Sequence, residues 1–268
     1  MPAITTGHAT TGASVVMAVK GILQKGGRVI EQERVGFIGI GSVGITTLRL
    51  MLKCLPHPKE ITLCDIYSKI EFLEKIRKDI LNDTGFRGKV HIAASHGMTP
   101  SEIYNSSLIV GATNVPDILD ISRVKAGTMI VDDSAPHCFV SELAIQRLRS
   151  QEDILFTEGG VLRSPYAVNH LIYLPRHLEK SIPLSDMPNL GTNEITGCIF
   201  SGLLSSRFED IKPTVGLTEM DVCLQHYGIL DRLDFQSADL HCEEYVLPKE
   251  LILNFRRCFG RSEESETN

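Results

Sequence analysis

The stretch Gly39-Ile40-Gly41-Ser42-Val43-Gly44 decides the fold of this chain. It follows a short apolar segment, Arg34–Gly39, that is typical of a buried parallel strand. It precedes Val43–Cys54, where apolar residues recur at helical spacing. A strand, a G-x-G-x-x-G turn and a helix in this order predict a dinucleotide-binding unit.

The residues of this turn have separate roles in such a unit. Gly39 permits the tight turn, Gly41 lets a pyrophosphate approach the backbone, and Gly44 lets the helix pack closely on the strand. The N–H groups at the start of the helix, around Ser42 and Val43, carry a partial positive charge that attracts phosphates. All five residues are therefore predicted to bind the cofactor.

A carboxylate, Asp65, ends the second predicted strand, Glu60–Asp65, about 20 residues after the turn. A carboxylate at this place accepts hydrogen bonds from the ribose hydroxyls of NAD and repels a 2′-phosphate. NAD is therefore the predicted cofactor. NADP remains an alternative because the neighbouring segment Tyr67-Ser68-Lys69 can accommodate a phosphate.

Strands and helices alternate along the first two thirds of the chain. This alternation predicts an α/β fold: a Rossmann-type, doubly wound, mostly parallel sheet with an N-terminal helix and a helical C-terminal segment. Further strands are predicted at Lys89–Ile92, Ser107–Gly111, Thr128–Asp132 and Asp153–Phe156, and further helices at 10–24, Lys69–Asp79, Asn193–Phe208 and Leu217–Gly228. The predicted units are the N-terminal helix (1–30), the dinucleotide-binding domain (31–175), the helical segment (176–260) and a disordered tail (261–268).

Composition narrows the class of protein. The 268 residues are 43% hydrophobic and 22% charged, as expected of a soluble globular chain. The net charge is -6, and the longest basic cluster is Arg256-Arg257 beside Arg261, so no nucleic-acid partner is expected. No apolar run reaches the roughly 20 residues that cross a bilayer. Seven scattered cysteines without a C-x-x-C pair or zinc-ligand spacing predict reduced thiols, a cytoplasmic location and no metal site.

Three segments follow predicted strands and are expected at the carboxyl edge of the sheet, where ligands bind. After the fourth strand, the small residues Ala112 and Thr113 allow the cofactor to approach, with a plain turn as the alternative. After the fifth, His137 is a candidate general acid or base and Cys138 a candidate nucleophile, although a lone residue of either type is more often structural. After the sixth, Glu158 is a candidate for holding a substrate amine or orienting a water, with a solvated acid as the alternative.

Most of the chain from residue 10 to about 230 resembles a known family. That family is the cyanobacterial long-chain acyl-[acyl-carrier-protein] reductases, which form fatty aldehydes, and the likeness is to their C-terminal, cofactor-binding part. The resemblance implies the same Rossmann fold, an NADPH cofactor, an acyl-thioester substrate and an acyl carrier protein as partner. The matching pieces, in order, are Thr10-Thr11-Gly12, the Gly39-Gly41-Gly44 turn, Met129-Ile130-Val131-Asp132 with Pro136, Glu158-Gly159-Gly160-Val161, Gly197-Cys198-Ile199-Phe200 with Phe208-Glu209, and Leu217 to His226-Tyr227-Gly228.

Two departures from the family bear on the chemistry. The family has a further N-terminal region that helps to hold the acyl chain, which is not expected here. The family's nucleophilic cysteine falls at Pro165 of this chain, and proline cannot form a thioester. Ser164 is adjacent but has no evident base.

Three functions are consistent with these features. The leading hypothesis is an NAD(P)-dependent oxidoreductase that acts on a carbonyl-level carbon in a ketone, imine, aldehyde or acyl thioester. The first alternative is an acyl-thioester reductase whose nucleophile has moved to Cys138 or Cys198. The second is a non-catalytic NAD-binding module, acting as a sensor or partner subunit. Assembly into a homo-oligomer is compatible with each.

Overall fold

Six parallel strands form the central sheet of the chain, whose computed structural model describes residues 4–168 and 193–261. The spatial order is β3-β2-β1-β4-β5-β6, so the strand order reverses between β1 and β4. The predicted Rossmann-type fold is confirmed. The strands are β1 Arg34–Ile38, β2 Glu60–Ile66, β3 Lys89–Ser95, β4 Leu108–Gly111, β5 Thr128–Asp132 and β6 Ile154–Glu158.

Both neighbours of β1 are parallel to it, which explains its apolar sequence. Val35 lies opposite Ile61 of β2 on one side and Leu108 of β4 on the other. All residues of β4 and β5 are buried, because helices or loops cover both sheet faces there. The predicted domain boundary at 175–176 lies outside the described residues. So does the predicted disordered tail beyond Arg261.

Seven α-helices are found among the described residues, and one predicted helix begins in the wrong place. The segment predicted as a helix from Asn193 starts instead with strand β8, Glu194–Thr196, which pairs antiparallel with β7, Val161–Arg163. Ile195 lies opposite Leu162 and both are buried, so packing there favours extended backbone. The helices are α1 His8–Lys25, α2 Ser42–Cys54, α3 Ile70–Asp83, α4 Ser141–Gln151, α5 Gly197–Arg207, α6 Met220–Arg232 and α7 Lys249–Phe259. Three short strands remain: β9 Gln236–Ser237, β10 His241–Cys242 and β11 Tyr245–Val246.

Helix α1 is a core helix rather than an amphipathic surface helix. Thirteen of its 18 residues are buried, since it contacts α2, α5 and α6 as well as β5 and β6. Glycines permit this crowding: a Cβ on Gly12 would collide with Thr46 of α2, and one on Gly21 with Ser237 of β9. Because Gly12 and Thr46 each lie one turn into their helix, α1 and α2 begin at the same edge of the sheet.

Membrane-spanning helices and disulfide bonds are both absent from the part of the chain that the structure describes. No helix within residues 4–168 and 193–261 combines the length and apolar character needed to cross a membrane. All seven cysteines are free thiols without disulfide bonds.

A buried ion pair ties the opposite edge of the sheet together. Arg28 and Glu33, whose side chains are both fully buried, form a bidentate pair with N–O distances of 2.8 and 2.6 Å. Arg28 also donates to the carbonyl oxygens of Gly127 and Phe259, and Glu33 accepts from Ser107. The pair therefore joins the start of β1 to the segments before β4 and β5 and to the end of α7.

We predict that Glu33→Gln lowers the free energy of unfolding by about 3 kcal/mol, because it leaves the Arg28 guanidinium buried without its counter-charge. Urea denaturation followed by circular dichroism measures this. Glu74→Gln is the matched control, since Glu74 pairs with Arg77 on an exposed face of α3 and should cost less than about 1 kcal/mol. Equal losses of unfolding free energy in the two variants would show that the buried ion pair contributes no more to stability than the exposed one.

Candidate functional site

The turn between β1 and α2 leaves an open backbone cradle at Gly41. Gly39 has φ 89°, in the left-handed region that favours glycine, and a Cβ there would collide with the backbone of Ala112. A Cβ on Gly44 would collide with the Gly39 carbonyl oxygen, so α2 packs directly on the turn. Around Gly41, by contrast, no atom of the described chain lies within 4 Å of the place a Cβ would take. The second glycine therefore offers the free space that a pyrophosphate needs.

The first turn of α2 completes this cradle. The helix begins at Ser42 with Gly41 as its N-cap, and no side chain in the described part of the chain caps it. The first intrahelical bond runs from Ile45 N–H to the Gly41 carbonyl oxygen, at 2.9 Å. The preceding N–H groups of Ser42 and Val43 are thus available to an anion, as predicted for a phosphate site.

Asp65 lies at the end of β2 and is attached to the glycine turn. Its Oδ2 accepts from Ile40 N–H at 2.8 Å and from the Lys69 ammonium at 2.9 Å, and its Oδ1 accepts from Ile66 N–H. The carboxylate is nearly buried, whereas Lys69 is partly exposed. Asp65 therefore shapes the glycine turn from the end of β2.

The loops after β4 and β5 are joined beside the turn. Ala112 N–H donates to the Ile38 carbonyl oxygen at 2.8 Å, and Thr113 N–H donates to the Ser134 hydroxyl at 3.1 Å. Both small residues are half-buried. The structure thus brings Ala112 and Thr113 to the switch point between β1 and β4, where a bound dinucleotide would cross the sheet.

A buried carboxylate, Asp132, organises the loop after β5. Its side chain is 1% exposed. One oxygen accepts from Cys138 N–H and lies 3.0 Å from His137 Nδ1, and the other accepts from Ser134 N–H at 3.2 Å. The loop from 132 to 138 therefore folds around this one carboxylate, and the imidazole of His137 is fixed in orientation.

The other imidazole nitrogen of His137 faces an acid and a thiol. Its Nε2 lies 3.5 Å from Glu158 Oε1 at the end of β6 and 3.7 Å from Cys242 Sγ on β10. Glu158 also accepts from Glu243 N–H, and its second oxygen lies 3.6 Å from His241 Nε2. The side chains of five residues from three separate parts of the chain thus form one polar cluster: Asp132, His137, Glu158, His241 and Cys242.

The cluster shifts the pKa of several of its members. Hydrogen bonds with Asp132, Cys242 and Glu158 raise the pKa of His137 to about 12. Burial alone would raise the pKa of Glu158, but hydrogen bonds with His137, His241 and the Glu243 backbone bring it below its usual range. Burial also raises the pKa of the Cys242 thiol, which His137 opposes. The cluster therefore holds negative charge on Glu158 and positive charge on His137.

Asp133 points to the opposite face of the sheet from Asp132, as successive residues at a strand end do. It packs against Gly159 and Gly160, close to Val15 of α1. Burial, together with the charges of Asp132 and Glu158, raises the pKa of Asp133 to about 8. This carboxyl group therefore carries a proton at neutral pH and can donate a hydrogen bond.

The predicted nucleophiles lie in different surroundings. Cys138 is 0% exposed, and burial, reinforced by Asp132, raises its thiol pKa well above the ordinary value. Cys198 is exposed in the first turn of α5, beside Gly7 at the start of α1. Ser164 is buried and its hydroxyl accepts from Tyr166 N–H. Exposure therefore favours Cys198 over Cys138 as a reactive thiol.

An open groove of about 560 Å³ runs past the cluster. His137 and Glu158 line it together with Pro116 and Asp117 of the loop after β4. The structure thus brings together the predicted residues His137 and Glu158 at one wall of a groove, while Cys138 lies behind them in the core.

Sequence reasoning missed His241 and Cys242. They belong to a short hairpin formed by β10 and β11, and β10 contacts the end of β6. Buried Leu240 and Cys242 flank His241 in this stretch, but nothing in the local spacing indicates its contact with β6, where the His241 N–H donates to the Thr157 hydroxyl, 84 residues earlier in the chain.

The fold and the open glycine turn define a Rossmann-type protein. Comparison of the chain with known proteins supports this fold and does not identify a family. No family model matches the chain, and no curated protein sequence matches it.

Three of the similar solved structures are the following. Shikimate 5-dehydrogenase from Listeria monocytogenes, in complex with shikimate and NAD, is 15% identical, with a TM-score of 0.40 over 56% of this chain and 52% of that one. L-tryptophan dehydrogenase from Nostoc punctiforme is 16% identical, with a TM-score of 0.38 over 57% and 40%. Thermococcus litoralis Δ1-pyrroline-2-carboxylate reductase, in complex with NADH and L-proline, is 17% identical, with a TM-score of 0.36 over 46% and 36%. The chain thus spans about half or less of the length of these proteins.

Proposed function

We propose that the chain binds NAD at the glycine turn and acts as an NAD(P)-dependent oxidoreductase on a carbonyl-level carbon. The observation that carries this proposal is the open cradle at Gly41. It combines a glycine with free space around it, an uncapped helix N-terminus and a position at the switch point of a doubly wound sheet. A pyrophosphate fits these features because it needs close backbone approach and N–H donors.

Asp65 supports NAD as the cofactor. Its carboxylate ends β2 beside the turn, where it would accept hydrogen bonds from ribose hydroxyls and repel a 2′-phosphate. The adjacent Lys69 ammonium partly offsets that negative charge. NADP binding is therefore expected to be weaker rather than absent.

The groove at the ends of β5 and β6 supports a substrate site. When bound, the nicotinamide supplies or accepts the hydride, so the chain's own task is to bind and orient the substrate. His137 and Glu158 line the groove, and we assign them contact with the polar group of the substrate. We assign Cys138 a structural role, since its thiol packs against Gly111 in the core.

The exposure of Cys198 favours a second candidate function, the reduction of acyl thioesters. A thiol in the first turn of a helix, open to solvent, can attack a thioester if the substrate reaches it. This version retains the same cofactor site and adds an acyl-enzyme on Cys198, with an acyl carrier protein as donor.

We predict that Gly41→Ala weakens NADH binding at least tenfold without changing the melting temperature. The added methyl group meets open space in the chain and therefore blocks only the pyrophosphate. Fluorescence titration with NADH and thermal unfolding measure the two quantities. Gly202→Ala in α5 is the control, because its Cβ also meets open space, and it should bind NADH normally.

Unchanged NADH binding by Gly41→Ala would contradict the site. The reaction is tested separately by following NADH oxidation with ketone, imine, aldehyde and thioester substrates. Binding without turnover on every class would favour the non-catalytic NAD-binding module instead.

We predict that Asp65→Asn narrows the preference for NADH over NADPH by about tenfold. The amide retains an acceptor for Ile40 N–H but lacks the charge that repels a 2′-phosphate. Dissociation constants for both cofactors measure the ratio, with Asp83→Asn at the exposed end of α3 as the matched control. A ratio equal to that of the unmodified chain would show that Asp65 does not contact the ribose.

We predict that, if the thioester version holds, an acyl thioester leaves one acyl group on Cys198. Intact-protein mass spectrometry detects the adduct, which Cys198→Ser should abolish and Cys258→Ser, another exposed cysteine, should retain. NADH turnover of a thioester without any adduct would exclude the covalent route.

A further inference from the structure

Three side chains of the types that ligate metals meet at the groove, where His137 and Glu158 line the wall and Cys242 is buried behind them. His137 Nε2, one oxygen of Glu158 and Cys242 Sγ all lie within 4.8 Å of one another. They come from the loop after β5, the end of β6 and strand β10. We propose that His137, Glu158 and Cys242 bind a divalent transition metal of the zinc class.

Two of the three separations between the donor atoms suit such an ion. His137 Nε2 is 3.5 Å from Glu158 Oε1 and 3.7 Å from Cys242 Sγ. The contact with Glu158 is longer than a good N–H···O hydrogen bond, which spans about 2.7–3.2 Å, whereas the contact with Cys242 is also compatible with a weak hydrogen bond to sulfur. A tetrahedral zinc ion with bonds of about 2.0–2.3 Å holds its donor atoms roughly 3.3–3.6 Å apart. The observed separations are close to the second range.

The carboxylate behind His137 has the arrangement that supports metal-bound histidines. The Asp132 carboxylate accepts a hydrogen bond from His137 Nδ1. This bond fixes the imidazole ring so that Nε2 faces Glu158 and Cys242. Asp132 is itself held by Cys138 N–H and Ser134 N–H and is almost fully buried, so the ring cannot easily turn. This carboxylate–histidine pair is a second, independent indication of a metal site.

The other two donors are also held in place. Glu158 Oε1 accepts from Glu243 N–H, while Oε2 lies near His241. Cys242 lies opposite Tyr245 in the β10–β11 hairpin, and the neighbouring His241 N–H donates to the Thr157 hydroxyl of β6. The hairpin is thus attached to the strand that carries Glu158.

The donor set indicates which ion binds and what it can do. One thiolate, one imidazole and one carboxylate favour zinc or a similar ion over magnesium or calcium, which prefer oxygen ligands. Three protein ligands leave a fourth tetrahedral position, as in sites where the metal contacts a water or a substrate. Because His137 and Glu158 line the groove, that position would be open to a carbonyl or hydroxyl oxygen, and with the ion bound the two residues would act on the substrate through it rather than by direct contact.

Metal binding is tested on the full chain, stripped with a chelator and then dialysed against zinc chloride. Elemental analysis should find about one zinc per chain. Cobalt(II) in place of zinc should give the near-ultraviolet charge-transfer band of a cobalt–thiolate bond. A zinc content near zero after reconstitution, or the absence of that band, would overturn the proposal.

Variants assign the ligands. Cys242→Ser should abolish the charge-transfer band, and Glu158→Gln should lower zinc affinity by at least tenfold, whereas Cys258→Ser should behave as the unmodified chain. Thermal unfolding without metal shows whether each variant folds. If Cys242→Ser retains the band, the thiol is not a ligand and the proposed site is wrong. If Cys242→Ser does not fold, the zinc affinity of Glu158→Gln tests the site, and an affinity equal to that of the unmodified chain would overturn it.

Asp132→Asn tests the positioning role of the carboxylate behind His137. We expect a fall in zinc affinity of about 10–100-fold with the cobalt–thiolate band retained, because the ligands themselves remain. NADH titration of the same samples separates this proposal from the proposed function, since the cofactor site does not use these residues. NADH binding without zinc binding would overturn the metal site alone, and the reverse would overturn the cofactor site alone.

Discussion

The approach of Gly44 to the Gly39 carbonyl oxygen is the contact on which the site depends. It brings the first turn of α2 against the end of β1, so that the helix starts at the sheet edge rather than beyond it. A side chain at Gly44 would push the helix away, and one at Gly39 would collide with the backbone of Ala112. Asp65 fixes the same turn from β2 by accepting from Ile40 N–H. The free space at Gly41 is a consequence of these constraints on its neighbours.

A second constraint, the buried carboxylate of Asp132, shapes the other half of the sheet edge. A buried carboxylate is costly unless its oxygens accept hydrogen bonds, and here two backbone N–H groups and His137 satisfy it. The loop after β5 must therefore wrap around it. That wrapping buries Cys138 and turns His137 toward Glu158, so one residue determines which of two adjacent candidates reaches the groove.

The local patterns were sufficient for the parallel strands and for the glycine turn, because buried strands and the G-x-G-x-x-G spacing are encoded in neighbouring residues. Two kinds of feature were not local. The extended conformation of Glu194–Thr196 depends on pairing with Val161–Arg163, about thirty residues earlier and invisible in its own sequence. The convergence of His137, Glu158 and Cys242 likewise depends on a hairpin returning to β6 after α6. Zinc-ligand motifs are recognisable when the ligands are close in sequence, and these are not.

The two halves of the carboxyl edge of the sheet attract opposite charges. A cofactor and a cation could therefore bind there side by side. At β1 and β4, the N-terminus of α2 presents positive dipole and N–H groups, which suit the pyrophosphate. At β5 and β6, hydrogen bonds with Asp132 and Glu158 help to raise the pKa of His137 to about 12, so this half of the edge favours a bound cation. An anionic cofactor is therefore directed to the glycine turn, while positive charge collects at the wall of the groove, where a substrate oxygen would be polarised.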